Sequence, residues 1–184
     1  MDAVRNLMRK HGIAAGDIAE IAVLVTAEAY HTFLPLDVKR RPATSQDANH
    51  SLPYLISFAA VHGRVTVVAM TPPGYEDPDV RAFAERVVPV VDETLDASDP
   101  GPGEAGPGRI RITLHDGTAH QVDIEEPYGH PRHPISWDDL TDKFRECASY
   151  AAKPLAPDTI ERVIETVTRL EDVEDIRDVM GLLV

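Results

Sequence analysis

Apolar residues recur along this chain with two different periods, and the places where the period changes mark its elements. Val4, Leu7, Met8 and His11 share one face of a helix that Gly12 would stop. Over residues 17–27 the period drops to two. Ile21, Val23 and Val25 alternate with small or polar residues, which is the pattern of a strand. Residues 30–42 read as a connection, with Pro35 and Pro42 as breakers. Leu52, Leu55, Ile56 and Ala59 restore the helical spacing, and Gly63 ends it. Residues 65–70 are a β-branched run that periodicity leaves open between a strand and a buried extension. Residues 77–87 place Pro78 at a first helical position and turn Val80, Phe83, Ala84 and Val87 inward. Residues 88–91 are a strand candidate.

The run PGPGEAGPG, within residues 96–108, cannot pack and predicts a soft surface loop. Residues 109–125 are the clearest hairpin. Ile110, Ile112 and Leu114 alternate inward, Val122 and Ile124 answer them, and Asp116-Gly117 supplies the turn. Residues 127–134 are rich in turn formers. Ser136 and Asp139 form a capping box ahead of a helix holding Leu140, Phe144 and Cys147. Pro157 opens a further helix, with Ile160, Val163, Ile164, Val167 and Leu170 on one face, and a last short helix covers 173–183. No internal repeat is present. The sum is a single α+β domain over residues 1–184, a small and mainly antiparallel sheet with helices packed on it.

A length of 184 residues with 43% apolar content supports one real core. The formal net charge of −13 argues against nucleic acid or an anionic membrane as partner, since both require a basic face. No apolar run reaches bilayer length and no signal-peptide pattern opens the chain, so the expected compartment is the cytoplasm. The lone Cys147 excludes an internal disulfide and fits a reducing environment. On the inward face of its helix it is expected as a buried structural thiol. The densest basic cluster, Lys39-Arg40-Arg41, reads as a solvated loop when taken alone.

Little of the chain carries recognisable chemistry. His130 and His133 could share a metal, but the loop is stiffened by prolines and no third ligand is placed, so no metal is expected. No phosphate loop, nucleophile elbow or dinucleotide fingerprint occurs, and no cofactor is expected. What remains is the start of the central helix, where Asn49, His50 and Ser51 cluster with Tyr54 a turn further in. Unpaired N–H groups at a helix start suit an anion, and a nearby phenol can donate to a carboxylate or carry a proton. The competing reading is a capped core helix in which Tyr54 is a buried tyrosine with a hydrogen-bond partner.

At this point the residues resemble the MmgE/PrpD family. Pro42, Thr44, Asp47, Ala48, Ser51, Leu52, Pro53 and Tyr54 match its P-x-T-x-x-D-A-x-x-S-L-P-Y motif, followed by Gly63-Arg64. The helix and strand over 77–92, the Asp116-Gly117 hairpin and the run Gly129-His-Pro-Arg-His-Pro-Ile-Ser-Trp before Leu140, Lys143, Phe144 and Arg145 follow in order. The resemblance covers nearly the whole chain, but only the smaller, C-terminal α+β domain of a two-domain protein. It implies an active site between the domains, bordered by Tyr54. Most acid/base groups would come from a large helical domain that has no counterpart here. Where the family usually has a lysine-like residue and then an aromatic ahead of the motif serine, this chain has Asn49 and His50.

The resemblance therefore implies the small subunit of a split enzyme acting on a carboxylated small molecule. The reaction would be dehydration, decarboxylation or epimerisation, each through proton transfer beside a carboxylate. Tyr54 and His50 would be catalytic, and Asn49 and Ser51 would bind substrate. The partner would be a helical large subunit of the same family in a hetero-oligomer, with two copies of each chain as one arrangement. Two other readings stand: a non-catalytic binding or scaffold domain, and a natural-product enzyme using the same cleft for different chemistry.

Overall fold

One helix is apolar on every side, and the larger part of the fold is built around it. Its residues Pro53 to Ala60 are all buried, as expected for a helix enclosed rather than laid on a surface. The computed structural model describes residues 1–95 and 107–183. These fall into two compact units, Met1–Pro134 and Ile135–Val184. The loop expected over 96–108 lies outside the described residues except at its last two positions.

In the first unit, α1 (Asp2–His11) leads into β1 (Ile18–Val25). There follow α2 (Ala27–Tyr30), α3 (Leu36–Arg40), α4 (Ser45–Asn49), α5 (Leu52–His62), α6 (Pro72–Tyr75) and α7 (Pro78–Ala84). The sheet is completed by β2 (Val87–Val91), β3 (Gly108–Leu114) and β4 (Ala119–Ile124), in the order β2-β1-β3-β4. Both β1–β3 and β3–β4 are antiparallel, whereas β2 runs parallel to β1, with Ile21 opposite Val87 and Val25 opposite Val91. The α+β class is confirmed and two of three pairings are antiparallel, so the sheet is mixed. The parallel pair follows from the long helical crossover between β1 and β2, because a tight turn can join only antiparallel neighbours.

β1 is central and buried on both faces. Ile18, Ile21 and Val23 join Val4, Leu7, Phe33, Ile56, Phe83, Val87, Ile110 and Ile112 in the main core. Ala22 and Leu24 meet Leu95 on the other face. A second cluster, Ala48, Tyr54, Leu55, Phe58, Ala69 and Val80, lies on the far side of α5. The central helix thus fastens two cores together.

Two expectations about local structure change. Residues 30–42 hold helical turns, because Pro35 sits in extended backbone as the N-cap of α3 and starts a helix instead of breaking one. Residues 67–70 form a 3₁₀ turn that neither strand nor α-helix describes.

The second unit contains α8 (Trp137–Ser149), α9 (Pro157–Thr168) and α10 (Ile176–Gly181). Ser136 caps α8 as the sequence indicates, accepting the Asp139 N–H at 3.1 Å. Few of its apolar side chains are covered within this unit. Ile135, Trp137, Leu140, Leu170, Ile176 and Met180 are all exposed. Cys147 is exposed too, which corrects the buried thiol expected from spacing. It lies on the apolar side of α8, lining a groove of about 350 Å³ with Phe144, Val163 and Val167, but that groove is open. Val4 and Leu7 of α1 and nearly all of α5 are packed.

Candidate functional site

Asn49, His50 and Ser51 form the joint between α4 and α5, and the joint is tightly held. Thr44 caps α4 by accepting the Asp47 N–H at 3.1 Å. Ser51 caps α5, accepting the Tyr54 N–H at 3.3 Å while its own hydroxyl donates to the Lys39 carbonyl. The Lys39 ammonium returns the tie by donating to the His50 carbonyl at 2.8 Å. The joint is therefore clasped to the last turn of α3 by both the backbone and the side chain of one residue.

This local structure limits what the helix start can do for an anion. Of the first N–H groups of α5, Pro53 has none, and Tyr54 and Leu55 donate to Ser51. Ser51 is 1% exposed. Its hydroxyl is engaged in capping α5 and in the bond to Lys39. Asn49 and His50 are exposed and lie side by side. Among the described residues neither side chain makes a hydrogen bond or ion pair.

Tyr54 stands apart from them. It has no exposed surface, its ring packs in the second core cluster, and its hydroxyl donates to the Ala69 carbonyl at 2.8 Å. Burial pushes its phenol well above the ordinary tyrosine range, the Asp77 charge adds to this, and Arg81 opposes it. The phenol is thus a protonated structural donor that ties α5 to the 3₁₀ turn.

Two other groups border this region. Arg40 and Arg41 share Glu85, with contacts of 3.1 and 2.9 Å, and Arg40 also donates to the Val87 carbonyl at 2.8 Å. At the far end of α5, His62 contacts the Asp77 carboxylate at 2.9 Å and packs on Phe58. Asp77 also caps α7, accepting N–H bonds from Asp79 and Val80 at 2.8 and 3.2 Å. Burial works against its ionisation, but those N–H groups and His62 outweigh it and hold the carboxyl below its usual range. The folded state therefore keeps this anion where the unfolded chain has taken up a proton. The resulting stability is present above about pH 4 and is lost as pH falls through the folded value. Asp77→Asn keeps an acceptor but removes the charge. Its urea midpoint is expected below that of the unaltered chain at neutral pH, with the gap closing in acid. A gap independent of pH would refute the ionic contribution.

His130 and His133 face each other across a backbone bridge in the 127–134 loop. Among the described residues no three His, Cys, Asp or Glu side chains gather in metal-binding geometry. No helix is long and apolar enough to cross a membrane.

Comparison with known proteins places these features in a family. Residues 1–172 match the MmgE/PrpD C-terminal domain. The chain belongs to the MmgE/PrpD family. It is 34% identical over 134 residues to cis-aconitate decarboxylase of Mus musculus, covering 73% of this chain and 26% of that protein. It is 33% identical over 135 residues to the Homo sapiens cis-aconitate decarboxylase, with the same coverage. A mitochondrial 2-methylcitrate dehydratase of Yarrowia lipolytica is 28% identical over 125 residues, covering 67% of this chain and 24% of that protein. The chain therefore spans about a quarter of the length of the relatives it matches.

Proposed function

We propose that this MmgE/PrpD chain is the small subunit of a split enzyme. It would form one wall of a cleft whose other wall is a helical domain on a separate large chain. The substrate is a small molecule bearing carboxylates, of the kind named in cis-aconitate decarboxylase and 2-methylcitrate dehydratase. The reaction is dehydration, decarboxylation or epimerisation by proton transfer at a carbon beside a carboxylate. The observation that carries this reading is the match of residues 1–172 to the MmgE/PrpD C-terminal domain. The exposed apolar side chains of 135–183 support it as well, as apolar surface available to another chain.

Within the cleft, His50 is the group on this chain suited to hold substrate or move a proton, and Asn49 is suited to hydrogen-bond it. Both are exposed and uncommitted. Tyr54 acts through position, fixing the 3₁₀ turn beside α5. Its burial favours a second reading, in which the domain keeps the family fold as a binding scaffold without chemistry.

The test is turnover of cis-aconitate and of 2-methylcitrate by this chain, alone and after co-expression with a helical family member encoded beside it. We expect no activity alone and a stable heteromer with activity together. In that heteromer His50→Ala is expected to lower kcat/KM about tenfold, the loss of one hydrogen bond of ordinary strength. Turnover by the chain alone sinks the split arrangement. A stable heteromer without activity favours the scaffold.

A further inference from the structure

The three consecutive cations before the motif differ in what neutralises them. Arg40 and Arg41 chelate one carboxylate, that of Glu85, and Arg40 adds two backbone carbonyls. Lys39 has no carboxylate within ion-pair distance among the described residues. Its ammonium donates instead to the neutral His50 carbonyl, at 2.8 Å. An ammonium has three donor hydrogens, and this contact uses one of them. Lys39 is also held in place. Its own carbonyl receives the Ser51 hydroxyl, so main chain and side chain are both fixed to the joint that presents Asn49 and His50. On a chain of net charge −13, Lys39 is a cation held in place beside two exposed and uncommitted polar side chains.

We propose that Lys39 is the carboxylate-binding cation of this wall of the cleft. One carboxylate of a small polycarboxylate accepts from the Lys39 ammonium, while Asn49 and His50 supply further hydrogen bonds beside it. A charge-assisted hydrogen bond of this kind is about twice as strong as a neutral one. This rests on the cleft reading above and names the substrate-holding group within it. The alternative is that Lys39 only fastens α3 to the α4–α5 joint, a role that would not require an anion.

The probe is cis-aconitate, titrated into the isotope-labelled chain and followed by NMR, with the uncharged triamide as control. Of the four lysines, Lys10, Lys39, Lys143 and Lys153, only the Lys39 ε-methylene signal is expected to move, together with the Asn49 and His50 amides. The triamide is expected to move none of them. Lys39→Gln should weaken the response about tenfold, and Lys39→Arg should keep most of it. The lysine signals are read on the unaltered chain, so the result stands even if a variant fails to fold. Equal movement of all four lysines, an equal response to the triamide, or silence at Lys39 overturns the proposal. None of these outcomes bears on whether a heteromer forms, so the two readings fail separately.

Discussion

Gly74→Ala is expected to lower the melting temperature by about 10 °C, the equivalent of ~3 kcal/mol. Gly74 lies in α6, against the 3₁₀ turn of residues 67–70. A Cβ there would stand 2.1 Å from the Val68 carbonyl oxygen, 2.8 Å from its carbon and 2.9 Å from the Ala69 Cα. All three are backbone atoms, so no rotamer change relieves the overlap. Either α6 lifts or the turn moves, and the turn carries the Ala69 carbonyl that receives the Tyr54 hydroxyl. The strain therefore reaches the second core cluster. Gly16→Ala is the control, because nothing lies within 4 Å of a Cβ at that position. It is expected to be neutral, or slightly stabilising through the unfolded chain. Equal melting temperatures for the two variants would show that the close approach at Gly74 does not hold in solution.

How far the sequence could be read depended on whether a residue's role was local. The hairpin was legible because alternation and the Asp116-Gly117 turn act over a few residues, and Gly117 does take the positive φ, 87°, that such a turn needs. The Ser136 cap was legible for the same reason. Residues 30–42 were misread because a proline preceding a helix and a proline breaking one look alike without the backbone angle that Pro35 adopts. Cys147 was misplaced for a different reason. Its apolar neighbours were identified, but spacing reports which side chains share a face and not whether anything covers that face.

The candidate site was legible as a neighbourhood, but not in the contacts its side chains make. A helix apolar on every side has no face that periodicity can assign to a cleft, so the direction of Tyr54 was open until Ala69 was found beside its hydroxyl. The difference between Lys39 and the two arginines after it rests on partners 11 residues away in one case and 44 to 47 in the others. No local pattern carries that information. The family match supplies the expectation of chemistry here, and the contacts decide which side chains remain free for it.

The other large effect belongs to Tyr54. Tyr54→Phe leaves the Ala69 carbonyl buried without its donor and is expected to cost about 1–2 kcal/mol. Tyr54→Ala also empties the ring's place among Leu55, Phe58 and Val80, for a total of about 3–5 kcal/mol. The two urea midpoints measure the ring and the hydroxyl separately. Because burial raises the phenol's pKa, the unfolded chain releases this proton at about pH 10 while the folded chain still holds it. The stability that comes from Tyr54 is therefore complete below that pH and is lost as pH rises through the folded value. Between the unaltered chain and Tyr54→Phe, the gap in stability should narrow in alkali, and the subtraction removes the titration of lysines common to both. In an active heteromer, Tyr54→Phe is expected to lower stability and leave the shape of the pH–rate profile intact. If it instead removed one limb of that profile at unchanged stability, the phenol would be acting on substrate, and the buried hydrogen bond to Ala69 would have to open during turnover.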